Sequence, residues 1–263
     1  MPPALGPFFN EMTKPNATPP GRAHSPASRK GLERDILAFG NERKATHHAR
    51  FFKTGAGEYG EGDVFIGITM PELRRVVSRY ADLPSAEIER LLQAREHEFR
   101  MAALILLVAQ FRRGDEAARK NIYALYIRHA HRVNNWDLVD ASAEHIVGPW
   151  LEGRREKTAV LTRLARSPLI WKRRIAMLAT FYSIKAGRPD DALAIAELLL
   201  GDAHDLMHKA VGWMLREVGK RCSVAALEGF LARHYRIMPR TMLRYAIERF
   251  PKSRRQAYLK GTV

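Results

Sequence analysis

Cysteine occurs once in the 263 residues, at Cys222. An intrachain disulfide is therefore impossible, and a cysteine-built metal site is excluded. No run of about 18 apolar residues exists, so the chain offers no candidate membrane span. Its N-terminus lacks the basic-then-apolar order of a secretory signal. The ten histidines contain no HExxH, and neither His47/His48 nor His129/His131 has convincing partners. Metal catalysis is thus disfavoured, and no metal or cofactor is expected. A P-loop, a GxGxxG and a serine-centred elbow are all missing. So is the carboxylate cluster that a metal-dependent nuclease would need. Strand-period alternation of useful length is also missing, and the fold class is therefore all-α.

What the chain has in excess is positive charge. The formal net charge is +16 and the isoelectric point about 10.3, with an ordinary 46% of hydrophobic residues. Such a balance favours phosphate-rich or acidic partners. Membrane surfaces and acidic proteins attract the same charge, so basicity alone does not choose among them.

Residues 1–30 hold many of the prolines, with Gly, Ala, Ser and Asn between them. A segment of that composition buries too little apolar surface to offset its ordering entropy, and reads as a disordered tail. Residues 31–263 read as a single domain of consecutive helices. Leu32, Ile36 and Leu37 mark a first short helix, and 41–53 a second. The stretch GAGEYGEGD, Gly55 to Asp63, reads as a mobile loop between helices rather than a phosphate cradle, because the Walker ending is absent. VFIG, Val64 to Gly67, is too short to read as a strand. Pro71 opens the next helix, and helix follows helix to the C-terminus.

The stretch KAVGWMLREVGK, Lys209 to Lys220, shows the pattern best. Val211, Met214, Leu215 and Val218 fall on one side of a helix, as a core-facing stripe requires. Lys209, Trp213, Arg216 and Lys220 fall on the other. An indole among three cations is either a solvated face with a Trp filling a second contact, or a surface for an anionic polymer.

An internal repeat emerges when Arg100, Asp137, Arg174, Lys209 and Arg244 are aligned, with steps of 37, 37, 35 and 35 residues. A period in the mid-thirties that holds two helices predicts a helical solenoid, each hairpin burying its apolar side on its neighbours. Four of the five first slots are basic. Equivalent helices stand side by side in a solenoid, so these slots predict a curved array with a basic concave face.

One unit breaks the rule. Asp137 is acidic in the first slot, and Asp140 occupies a fourth slot that elsewhere holds Ala103, Met177, Gly212 and Ile247. Asn134 or Asn135 caps that helix, so Asp137 is explained by the helix dipole. Asp140 lies a turn further in, on the same face as Trp136. It is either one half of a salt bridge to a neighbouring repeat or a functional carboxylate. Arg174 falls inside the apolar arc of Trp171, Ile175, Leu178, Phe181 and Tyr182, where a guanidinium wants a carboxylate or a phosphate. Adjacent repeats bring it towards Asp140.

FIGITMPELR (Phe65–Arg74), NNWDLVD (Asn134–Asp140), WKRRIAML (Trp171–Leu178) and KAVGWMLRE (Lys209–Glu217) together resemble the DNA alkylation repair family of AlkD-like, HEAT-like-repeat glycosylases. The resemblance covers roughly Gly31 to Phe250. It implies excision of positively charged N3- and N7-alkylated purines from duplex DNA, without a cofactor and without flipping the base into a tight pocket. It further implies a catalytic Asp140, with Trp136 and Trp213 packing on the lesion nucleotide and Arg174 holding the backbone beside it. Family phosphate contacts fall on Arg216 and Lys220. Two positions depart from the family: Asn135 replaces a frequent aromatic, and Thr69 a polar amide near the DNA. Lys209 and Arg244, from the basic slots, complete the expected DNA-binding set. A monomer in the bacterial cytoplasm or nucleoid is expected, with no membrane partner. The alternatives are a non-enzymatic helical-repeat scaffold for nucleic acid, and a scaffold for an acidic protein partner.

Overall fold

A computed structural model describes residues 28–263. Capped amphipathic segments form helices in close succession. The first six are α1 (Arg29–Leu37), α2 (Glu42–Phe51), α3 (Met70–Val77), α4 (Ser85–Leu92), α5 (His97–Arg113) and α6 (Glu116–Arg128). Next come α7 (Trp136–Asp140), α8 (Ala143–Leu151), α9 (Lys157–Ala165), α10 (Ile170–Ala179) and α11 (Phe181–Lys185). The chain closes with α12 (Asp190–Leu198), α13 (Asp205–Arg221), α14 (Val224–His234), α15 (Arg240–Ala246) and α16 (Lys252–Lys260). Ser28, Asn41, Asp115 and Ser223 each accept a bond from the backbone amide three residues on, satisfying a donor that the helix start leaves open. No strand occurs among the described residues; VFIG contributes only an isolated bridge between Val64 and Glu96.

The helices stack as the repeat predicts. An inner row runs α3, α5, α7 with α8, α10 with α11, α13 and α15, each packed on the next. Helices α4, α6, α9, α12, α14 and α16 pack behind that row. One hydrophobic cluster is continuous from Leu32 to Tyr258. The inner slots behave as read: Met101, Ala102, Leu138, Val139, Ile175, Ala176, Ala210 and Val211 are all buried. Gly212, in the fourth slot, lets α13 and α15 touch. A Cβ added there would lie 2.5 Å from the Met242 carbonyl oxygen.

Several expectations are corrected. The tail reading falls on residues 1–27, outside those described, and on Ser28–Lys30, which begin α1. Leu37 is exposed and takes no part in the core. The helical stretches over 136–151 and 170–185 each divide in two, at Ala141–Ser142 and at Thr180. Thr180 Oγ1 donates to the Met177 carbonyl, a local bond that competes with helical continuation. The basic first slots do not form a common exposed stripe. Arg100 is 1% exposed and Arg174 2%, Lys209 is half-buried and pairs with Asp205 at 2.6 Å, and Arg244 is exposed. Their physical role divides accordingly: the two arginines bind repeats together from inside.

Candidate functional site

The fourth-slot carboxylate and the arginine in the apolar arc find each other. Arg174 Nε donates to Asp140 Oδ1 and Nη2 to Oδ2, both at 2.8 Å. Its remaining arm, Nη1, donates to the Leu206 carbonyl in the first turn of α13 at 2.7 Å. A planar guanidinium suits this two-pronged grip and still has donors to spare. The pair therefore ties the C-terminal end of α7, the middle of α10 and the first turn of α13. Asp140 is 9% exposed. Burial pushes its carboxyl up, Arg174 opposes the rise, and the nearby Asp137 charge adds to it.

Beside the pair stands an aromatic wall that the sequence reading did not assemble. Trp136 stacks on Phe52 with centroids 5.4 Å apart and meets Phe51 edge-on at 6.0 Å. Phe52 in turn stacks on Phe65 at 5.1 Å. Both phenylalanines come from the end of α2, where RFF precedes the glycine-rich loop. Trp213 lies on α13, two turns beyond Leu206, and packs on Phe181 at 5.8 Å. It is half-buried rather than facing away from the core, which matches a contact-filling indole as well as a binding one.

Below Trp136 sits a buried ionic cluster. His97 Nδ1 lies 3.2 Å from Asp63 and Nε2 2.8 Å from Asp137. Burial opposes charge on this imidazole, yet the Asp137 and Asp63 carboxylates together outweigh it and raise its pKa to about 9. With both ring nitrogens facing carboxylates, the imidazolium is the state that satisfies them. Asp63 also takes Arg100 Nη2 at 2.6 Å and Asn134 Nδ2 at 3.1 Å. Its carboxyl is raised by burial but held low overall by His97 and Arg100. Asp137 thus answers first to His97, with its helix-start position secondary.

This cluster anchors one end of the Gly55–Asp63 loop, which the sequence reading left free of tertiary partners. Gly60 and Asp63 are buried, and a Cβ on Gly60 would lie 2.4 Å from the Phe52 carbonyl oxygen. Gly60 N–H donates to the Lys53 carbonyl at 3.0 Å. The loop amides of Gly55 and Gly57 are taken by Glu58 and Glu61 at 2.9 and 2.8 Å. Those amides bind the loop's own acids, while residues 55–58, 61 and 62 stay exposed.

The expected DNA contacts are more scattered. Lys220 and Arg244 are exposed. Arg216 is half-buried, ion-paired with Glu248 and 3.6 Å from Glu217. Thr69 caps α3, its backbone amide and hydroxyl both donating to Glu72. Asn135 is fully buried: its Oδ1 accepts from the Trp136 amide at 2.8 Å, and its Nδ2 reaches Asp63 at 3.4 Å. Among the described residues, no three His, Cys, Asp or Glu side chains are grouped to hold a metal ion. No helix among them is long and apolar enough to cross a membrane.

Comparison with known proteins agrees with the helical fold. A chain from Enterococcus faecalis described as a predicted DNA alkylation repair enzyme superposes with a TM-score of 0.64 at 18% identity. The match covers 81% of this chain and 97% of that one, and at such identity it speaks for the fold. No curated protein matches. The family model for DNA alkylation repair enzymes matches residues 32–250, which include every residue of the Asp140–Arg174 site and its aromatic wall. This chain belongs to the DNA alkylation repair enzyme family.

Proposed function

We propose that the protein is a DNA glycosylase that removes positively charged N3- and N7-alkylated purines from duplex DNA. The observation that carries the reading is a carboxylate buried at the C-terminal end of α7, held by one arginine of α10 and one turn from Trp136. An alkylated purine already bears a positive charge. Its glycosidic bond breaks with the electron pair leaving on the base, which becomes neutral, so little acid catalysis is required. The sugar left behind is oxocarbenium-like. Asp140 stabilises it from a site of low polarity, where a fixed charge acts strongly. A burial-raised carboxyl also accepts a proton more readily from the water that attacks C1′. Trp136 and Trp213 offer aromatic faces to the electron-poor nucleotide.

Arg174 keeps Asp140 ionised in the free protein, and its guanidinium suits a phosphate once DNA arrives. Lys220, Arg244, Lys209 and Arg216 supply further backbone contacts, Arg216 by leaving Glu248. No base-specific pocket is needed, and selectivity rests on the lability of the charged lesion. Purified protein should release 7-methylguanine from methylated duplex DNA, and Asp140→Asn should release it at least about 100-fold more slowly. No release by wild type, or equal release by the variant, overturns the reading.

A second reading follows from the same pair. Both Asp140 oxygens are already taken by Arg174, as in a purely structural clamp. A non-enzymatic duplex-binding scaffold would show salt-sensitive binding, no base release and no special effect of Asp140→Asn.

A further inference from the structure

Behind the inner row, α6 packs on α8, and α9 on α10 and α12. A cleft of about 480 Å³ is left between α6 and α9, within the range of ordinary ligand pockets. Its floor is apolar. Tyr123 and Ile127 come from one face of α6, and Val160 and Leu164 from one face of α9, each pair spaced by one helical turn. Tyr123 is held in place, stacked on Trp150 at 5.4 Å, and Arg154 lies 3.7 Å over the same indole. The rim is cationic: Arg163 of α9, Arg166 at its end and Lys172 of α10 line the cleft. Among the described residues, no carboxylate lines it with them, and none of the three forms an ion pair. Neighbouring arginines are matched, Arg128 by Glu89, Arg154 by Glu116 and Arg173 by Asp202.

Unmatched positive charge around an apolar floor calls for a ligand that carries negative charge beside an apolar group. A nucleotide meets the charge condition through its phosphate, but its base would lose hydrogen bonds to water against Ile127, Val160 and Leu164. A leucine or phenylalanine side chain has no such bonds to lose. We propose that the α6–α9 cleft is a docking site for an acidic peptide segment of a partner protein. Its large apolar side chains would sit on the floor, and its carboxylates against Arg163, Arg166 and Lys172. Neither floor nor rim shares a residue with the Asp140–Arg174 site, so the inference stands independently of the glycosylase reading.

The probe is a fluorescein-labelled peptide, a run of aspartates followed by leucine and phenylalanine, titrated against the full chain by fluorescence anisotropy. One control peptide carries alanines in place of the apolar pair, and another asparagines in place of the aspartates. The protein should bind the probe at least about ten-fold more tightly than either control, since apolar burial and charge matching both contribute. The double variant Arg163→Glu, Arg166→Glu alters only exposed side chains and should bind it roughly ten-fold more weakly. Ile127→Ser should weaken binding about three-fold or more, through lost apolar contact. Arg233→Glu, an exposed charge reversal on α14, should leave it unchanged within about two-fold. No binding of the probe, equal binding of either control, or unweakened binding by the double variant overturns the inference. A deoxythymidine oligonucleotide that displaces the probe and loses affinity in the same double variant makes the cleft a nucleic-acid site, and also overturns it.

Discussion

Asp140 and Arg174 stand 34 residues apart in the chain and meet through two parallel 2.8 Å hydrogen bonds, with the arginine side chain 2% exposed. Removing either partner leaves the other charge buried and unmatched. Arg174→Ala should therefore cost about 3–5 kcal/mol of stability, read by denaturant unfolding. Arg174→Lys should not rescue it, because an ammonium cannot make the two-pronged grip. The double change Asp140→Leu with Arg174→Met should recover much of the stability, since a buried ion pair is often no better than apolar packing. It should recover no base release, and that separates the clamp from the chemistry.

His97 gives stability a pH dependence. Its pKa lies near 6.5 in an unfolded chain and about 9 in the native one. A group raised on folding contributes fully below its unfolded value and loses that contribution as pH rises through the folded value. Unfolding free energy should thus fall between about pH 6.5 and pH 9, by up to roughly 3 kcal/mol. His97→Gln should be less stable at pH 6 and should flatten the profile. Denaturant titrations at half-unit pH intervals test both expectations.

Gly212 is a packing requirement with a sharp test. A Cβ there would meet the Met242 carbonyl oxygen at 2.5 Å and the Tyr245 Cβ at 2.6 Å. Neither neighbour can yield without moving α15. Gly212→Leu should cost about 3 kcal/mol, at the upper end for overpacking, and thermal unfolding measures it.

Arg216 and Lys220 should differ as DNA contacts. Lys220 is exposed, and Lys220→Ala should reduce the salt dependence of duplex binding by about one counterion. Arg216 is held by Glu248. Glu248→Gln should therefore strengthen duplex binding several-fold and steepen its salt dependence, while Arg216→Ala alone should weaken it less than Lys220→Ala. Binding titrations at two salt concentrations check all three.

Helix spacing and the mid-thirties repeat carried the fold, because a buried inner face imposes its period on the residues directly. Asp140 and Arg174 were legible as misfits to that period, and misfits of opposite charge in adjacent units find each other. The Gly55–Asp63 loop was not legible, since its anchoring depends on His97, Arg100 and Asn134, all distant in sequence. Asp137 stands in the first turn of α7 as read, but its distant contact is hidden for the same reason. Its local explanation was sufficient, while its main partner, His97, lies 40 residues upstream. Basic first slots misled in the other direction: Arg100 obeys the repeat but spends its charge on Asp63 and on the carbonyls of Ala94 and Arg95.

Repeat arrays are commonly modular, each unit answering only to its neighbours, so that units can be deleted, duplicated or exchanged. The third arm of Arg174, on the Leu206 carbonyl, denies this chain that freedom in its centre. Three consecutive units contribute one group each to a single knot: a carboxylate, a guanidinium and a backbone carbonyl. Recombination can lengthen or shorten the array at either end, but a crossover between α7 and α10 leaves a stranded charge. The middle of the array is therefore inherited as a block, and drift in it must be concerted.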